Sequence, residues 1–248
     1  LQESMDVFKD CTRQRTPYTG QPTGERGIIM FDHISYRDIL HDLNVTIKEN
    51  ECTLITGKIG SGKTTMLQLI MKYHEPTSGE IFYDGVPYSQ IDSHVLRKNI
   101  GYVPQNPILL NRTILENITY GTPLVSKESV LRLIRDNDLQ DVLSHLELDA
   151  NVGKYGSKLS GGQRQIVWIL RVMIQDPNVI LLDEPTAAID NDTKHIIERL
   201  LLKLMQNKTI IMVTHDDFLL RMTDRVIDID DGTIAKDYYT KKQNLLYI

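Results

Sequence analysis

Eight residues constrain this chain more than any others: Gly57-Lys58-Ile59-Gly60-Ser61-Gly62-Lys63-Thr64. They match the spacing G-x-x-x-x-G-K-[S/T] without a gap. An apolar run, Cys52-Thr53-Leu54-Ile55-Thr56, leads directly into them, and Thr65-Met66-Leu67-Gln68-Leu69-Ile70-Met71 continues as a helical stretch. Strand, glycine-rich turn and helix in that order give the backbone a particular use. Successive N–H groups of such a turn can face one point. The new helix aims its N-terminus at the same point, where negative charge is favoured. Lys63 adds a full positive charge for β- and γ-phosphates, and the Thr64 hydroxyl can ligate Mg2+. A flexible Gly/Ser loop with a chance lysine is the bland alternative, and the flanking strand and helix argue against it. Alone, the loop implies only that a nucleotide is held.

Two further apolar runs end in chemistry. Val179-Ile180-Leu181-Leu182 ends at Asp183-Glu184, and Thr209-Ile210-Ile211-Met212-Val213 ends at Thr214-His215. Runs apolar on both faces suit strands buried in a parallel sheet. Their alternation with longer helical stretches predicts an α/β layer fold. Asp183 then sits at the carboxyl end of the sheet, where open α/β folds place ligands. It suits an Mg2+ contact, direct or through water. Glu184 points differently and can polarise a water in line with a γ-phosphate. Phosphoryl transfer asks mainly for positioning and charge stabilisation, so this small set suffices. By themselves the two acids could equally cap a strand at the surface. Two hairpins are predicted, at Asp84-Gly85 after Glu80-Ile81-Phe82-Tyr83 and at Asp231-Gly232 after Arg225–Asp230. Residues 124–147 read as helical, with mixed charge on one face.

The 248 residues suffice for one large α/β domain with its own core. A hydrophobic fraction of 41% and a charged fraction of 25% are ordinary for a globular protein. The formal net charge of −5 lacks the basic footprint of a nucleic-acid surface. Cys11 and Cys52 match no metal or redox spacing and read as free thiols. No apolar run approaches the roughly 20 residues of a membrane helix. Residues 1–15 read as the end of a helix, with Leu1, Met5 and Phe8 on one stripe. Thr16–Gly27 has linker composition, and the folded domain is expected to start near Gly27. A sequence that opens on Leu1 reads as a piece cut from a longer protein.

Leu159-Ser160-Gly161-Gly162-Gln163 resembles, letter for letter, the LSGGQ signature of ATP-binding cassette (ABC) proteins. Gln165 and Arg171 follow at family-like positions. The order of phosphate loop, glutamine, signature, acidic strand and histidine also resembles that family, over roughly residues 28–236. The resemblance implies a P-loop NTPase (RecA-like) α/β core with an antiparallel β subdomain and a helical insert over about residues 106–167. It implies ATP and Mg2+ as cofactors and ATP hydrolysis as the activity. It also implies two cassettes packed head to tail, with ATP between the phosphate loop of one and the signature of the other. On this resemblance Gly57, Lys58, Gly60, Ser61, Gly62, Lys63, Thr64 and Thr65 cradle the phosphates. Ser160, Gly161, Gly162 and Gln163 face the γ-phosphate held by the other copy. Gln105, in Val103-Pro104-Gln105-Asn106-Pro107, is similar to the Q-loop glutamine that touches Mg2+ or the attacking water. Thr64, Gln105 and Asp183 are the implied metal contacts, and Glu184, His215 and Gln105 the implied catalytic set. Ala187-Ala188-Ile189-Asp190 resembles the D-loop, with Asp190 kept and Ala187 in the place of a serine. Tyr36 is the available adenine platform, although the second aromatic of the exporter pattern is replaced by Asp38. A core role for Tyr36 is equally open.

Three features resemble exporters. Leu109–Ile118 is similar to the run ending T-I-x-E-N-I. Val152-Gly153-Lys154-Tyr155-Gly156 resembles the V-G-E-x-G loop, with Lys154 reversing a charge. The N-terminal helix and linker, residues 1–26, resemble the join after a last membrane helix. Residues 27–248 are then the nucleotide-binding domain of an exporter, on the cytoplasmic face of a membrane. Its expected partners are a second such domain, identical or not, and the transmembrane domain of the same transporter. Nucleic acid is not expected. Against this, Asp183-Glu184-Pro185-Thr186 and Thr214-His215-Asp216 are more like importer and other cassettes. A soluble cassette ATPase acting on nucleic acid or ribosomes is the alternative.

Overall fold

A computed structural model describes residues 29–140 and 147–240 of the chain. The helix and linker expected over residues 1–26, and Cys11, lie outside the described residues. Strands β1 (Ile29–Tyr36), β2 (Leu40–Ile47), β4 (Ser78–Tyr83) and β5 (Val86–Pro87) form an antiparallel sheet in the order β2-β1-β4-β5. Strands β3 (Cys52–Thr56), β6 (Ile100–Val103), β7 (Val179–Asp183), β8 (Thr209–Val213), β9 (Arg225–Asp230) and β10 (Thr233–Tyr239) form a second sheet, in the order β10-β9-β3-β8-β7-β6. Five of these strands run parallel, and β10 returns antiparallel along β9. Both predicted hairpins form: Asp84 and Gly85 take φ of 51° and 72°, and Asp231 and Gly232 take 46° and 72°.

The central parallel strands β7 and β8 are mostly apolar because both of their faces are covered. In β7, Ile180 and Leu182 enter one core while Val179 and Leu181 enter the other. In β8, Ile210 and Met212 face the first core, and Ile211 and Val213 the second. Side chains on a strand alternate between faces, so each strand serves two layers. The first layer is helical. It holds α3 (Ile114–Ile118), α4 (Lys127–Asp136), α5 (Gly161–Gln175) and α6 (Asn191–Met205), all of which supply residues to that core. The second layer holds α1 (Lys63–Ile70), α2 (Ser93–Asn99) and the antiparallel sheet. A short helix, α7 (Asp217–Leu220), follows β8.

Of the helix expected over 124–147, residues 141–146 lie outside the described residues; among the described ones α4 covers Lys127–Asp136. Ser126 caps α4 at its start by accepting from the Ser129 amide. At the other end the Asn137 side chain turns back to the Leu133 carbonyl, and Asp138 adopts a left-handed φ of 54°. Short polar side chains that bond the backbone end helices in this way.

One fixed contact ties α5 to the region before it. Arg171, buried within α5, donates from Nε to the Asn117 carbonyl at 2.6 Å and from a terminal nitrogen to Asn117 Oδ1 at 3.1 Å. Its guanidinium lies 4.3 Å from the Trp168 ring. Asn117 in turn bonds both backbone groups of Leu110. The loop at 109–113 is thereby held to α5.

Candidate functional site

Parallel strands bring their carboxyl ends to one edge, and the ends of β3, β6, β7 and β8 each carry a predicted residue. β3 runs into Gly57, β6 into Pro104 and Gln105, β7 ends on Asp183, and β8 runs into Thr214 and His215. The register places Asp183 opposite Val213 and Val103 opposite Leu182, so the ends are level.

The loop from Gly57 to Gly62 curls through left-handed glycines at φ of 140°, 83° and 103°. Gly57 has no substitute, because a Cβ there would lie 2.0 Å from the Ile229 carbonyl oxygen. The first α1 hydrogen bond runs from the Met66 amide to the Gly62 carbonyl. The amides of Lys63, Thr64 and Thr65 therefore have no acceptor within the helix and are available to an anion. Lys63 Nζ donates to the carbonyls of Gly57 at 2.8 Å and Lys58 at 2.6 Å, which holds the ammonium over the loop. Ser61 Oγ is buried and has no hydrogen-bond partner. Free amides, an ammonium and an orphaned hydroxyl converge here, and this donor set fits a polyphosphate.

Asp183 is buried and accepts from the Tyr102 hydroxyl at 3.0 Å. Burial raises its pKa, opposed by the Tyr102 hydrogen bond and the Lys63 charge. A carboxylate whose charge is under-compensated suits a cation. The strand closes on Glu184, which takes a left-handed φ of 46° while its amide bonds the Val213 carbonyl at 2.8 Å. For a residue with a Cβ that backbone is strained. The turn carries the Glu184 carboxylate to the β8 end, where Oε1 lies 3.6 Å from His215 Nε2 and Oε2 accepts from the His215 amide at 3.4 Å. The structure thus brings Glu184 and His215 together. Gln105 is exposed at the end of β6, at the same edge.

The remaining predicted residues lie apart. Asp190 caps α6 by accepting from the Thr193 amide, a hydrogen bond that lowers its pKa. Ser160 and Gln163 form a reciprocal cap at the start of α5: Ser160 Oγ accepts from the Gln163 amide at 3.1 Å, and Gln163 Oε1 from the Ser160 amide at 2.9 Å. Farther along the helix, Gln165 donates to the Pro104 carbonyl and Trp168 to the Tyr102 carbonyl. The start of α5 consequently lies beyond the end of β6. Three strand spacings separate β6 from β3, roughly 14 Å at the usual interval. Within one chain, the Ser160 turn and the Lys63 loop sit on opposite flanks of the edge.

Of the two readings of Tyr36, its surroundings support the core one. It is 6% exposed, belongs to the second core, and stacks on His74 at a centroid distance of 5.4 Å. Tyr102 is a site neighbour that sequence reasoning missed. Its β-strand was short, and nothing local links it to a carboxylate 81 positions away.

A parallel sheet that delivers a phosphate cradle, a buried acid and a Glu/His pair to one edge defines a nucleoside-triphosphate-binding protein. The ABC transporter family model matches residues 40–187. The leukotoxin translocation ATP-binding protein LktB of Mannheimia glucosida is 35% identical over 93% of this chain and 34% of its own length. The ATP-dependent lipid A-core flippase of Neisseria meningitidis is 33% identical over 98% of this chain and 42% of its own. A bacterial Atm1-family ABC exporter with ATP bound superposes with a TM-score of 0.82 at 28% identity, over 96% of this chain and 43% of that one. The chain belongs to the ABC transporter family and comprises its ATP-binding ATPase domain. It spans less than half the length of these relatives.

Proposed function

We propose that the chain is the motor domain of an exporter, hydrolysing ATP held between two copies. The observation that carries this reading is the separation of the Ser160 turn from the Lys63 loop, which lets each serve a different nucleotide. In this reading residues 27–248 form the nucleotide-binding domain, with residues of about 106–167 as its helical insert. Lys63 and the amides of the Gly57–Thr65 segment grip the triphosphate from one copy. Ser160 and the free amides at the start of α5 approach the γ-phosphate from the other. Ser160 Oγ accepts a bond within its cap, which leaves its own hydrogen for that phosphate. Thr64, Gln105 and Asp183 would hold Mg2+, which would neutralise charge on the phosphate oxygens. Glu184 orients and deprotonates the attacking water, and His215 keeps the Glu184 carboxylate in place beside the γ-phosphate.

The exporter assignment has its own support. Ile108, Leu110 and Tyr155 are exposed apolar residues, and short bridges at Leu109–Tyr155 and Thr113–Asn151 place their loops side by side. Such a patch suits docking against a transmembrane domain at the cytoplasmic face of a membrane. Lys154, on the same rim, favours an acidic residue on that partner. Among the described residues no helix is long and apolar enough to cross a membrane.

The test is Glu184→Gln with ATP and Mg2+. Turnover should fall by about 10²–10⁴, the range of a removed general base. ATP should stay bound, and the protein should shift to a dimer on sizing chromatography. An ATP-loaded Glu184→Gln protein that stays monomeric would remove the shared-site reading.

A further inference from the structure

Outside the nucleotide site, three segments meet on one buried carboxylate. Asp216 directly follows His215, and its side chain is 4% exposed. Oδ1 accepts from the Phe218 amide at 2.9 Å, which caps α7. Oδ2 accepts from Thr186 Oγ1 at 2.9 Å and from Lys194 Nζ at 2.7 Å. Thr186 lies two residues past Glu184, and Lys194 four residues past the α6 cap at Asp190. One carboxylate therefore joins the segments that carry His215, Glu184 and Asp190. Burial disfavours its charge, but Lys194, Thr186 and the Phe218 and Leu219 amides outweigh that and keep it ionised.

A second contact extends this line to the signature. Gly162, in the first turn of α5, sits against Thr193 of α6, the neighbour of Lys194. A Cβ on Gly162 would lie 2.3 Å from Thr193 Cγ2. The two helix starts are packed so closely that one cannot slide without displacing the other. A continuous series of contacts thus runs from Gly162 through Thr193 and Lys194 to Asp216 and His215.

The ends of that series serve different nucleotides if ATP is shared between two copies, and any coupling between them rests on that shared-site reading. We propose that Lys194 is a positioning residue whose ion pair with Asp216 sets His215 and Glu184 according to the state of the Ser160 turn, coupling the two nucleotide sites through α6. An ordinary surface pair would be exposed on both sides and tied to nothing else. Here one partner is buried, hydrogen-bonded on both oxygens, and next in sequence to His215. Lys194 also lies 3.8 Å from Glu198, an i,i+4 contact that orients its side chain along α6.

The test uses the whole chain with Lys194→Gln and Lys194→Arg. Lys194 is partly exposed, so neither change opens a cavity. Lys194→Gln should lower kcat about 3- to 30-fold, the span seen when a coupling contact is removed. KM for ATP should stay within about twofold, and the Hill coefficient should fall from near 2 towards about 1. Lys194→Arg, which keeps the charge, should restore most of both. A Glu184→Gln/Lys194→Gln double variant should still form the ATP-dependent dimer. If Glu184→Gln alone fails to dimerise, the shared-site reading fails and the coupling falls with it. If it dimerises while Lys194→Gln keeps wild-type kcat and cooperativity, only the coupling is overturned. The coupling is likewise overturned if Lys194→Gln loses activity only in step with its melting temperature and Lys194→Arg gives no rescue.

Discussion

Replacing Arg171 with alanine should destabilise the fold far more than a helix-surface change does, because the guanidinium answers a need that no other described group meets. Asn117 lies in the last turn of α3, where carbonyls lack amide partners along the helix. Arg171 Nε fills that role at 2.6 Å, and a second nitrogen reaches Asn117 Oδ1 at 3.1 Å. Asn117 Oδ1 keeps the Leu110 amide after truncation, so one buried acceptor rather than two is left bare. A bare buried acceptor costs about 1–3 kcal/mol. The lost stacking on Trp168 adds about 1–2 kcal/mol for a desolvated cation over an indole. The expected loss is therefore roughly 2–5 kcal/mol. A domain of this size loses about 2–4 °C in Tm per kcal/mol, so Tm should drop by roughly 4–20 °C. Burial pulls the Arg171 pKa down to about 10, so the side chain is still cationic near neutral pH. Arg171→Lys should recover little, since an ammonium cannot present the two-pronged fork. Circular-dichroism melts of the three proteins without nucleotide give the answer. An Arg171→Ala protein melting within about 2 °C of the parent would refute the reasoning, because no arrangement of these partners makes so small a loss.

Lys63→Ala should abolish productive nucleotide binding, read by equilibrium dialysis with ATP; retained turnover would remove the phosphate-loop assignment. Gly162→Ala should impair ATP turnover by forcing α5 off Thr193 Cγ2, and Thr193→Ser, which deletes that methyl, should restore part of it. The Asp216 pKa is lowered in the folded state, so its stabilisation is present above the ordinary aspartate range near 3.9 and is lost as pH falls through the lowered value. The urea midpoints of the parent and Asp216→Asn should accordingly differ most near neutrality and converge on acidification; a gap that widens in acid would contradict the ion pair.

Features set by neighbours in sequence were legible from the chain alone. The glycine loop and both Asp-Gly hairpins each depend on a few adjacent residues. The buried strands were legible because two covered faces leave few polar positions. What escaped was built across distance. β1 and β2 pair through register shifts and left-handed residues such as His33 and Asp42, which blur a period of two. The end of α4 depends on a side-chain bond from Asn137 to Leu133 that composition does not announce. Tyr36 had two readings because only its packing on His74 separates them. Tyr102 and Lys194 carried no motif, and the role of Thr186 was not in its motif, since what matters about each is the carboxylate it meets from another strand or helix.

Trp168 is the one tryptophan in the chain. Its indole donates to the Tyr102 carbonyl at 2.6 Å and carries a guanidinium on its face. Indole emission responds to both kinds of contact, and this ring rides on the helix that starts at Ser160. Any slippage of that helix against the edge strand would change the colour or yield of the emitted light. The molecule thus contains its own optical gauge of that contact, with no label to attach.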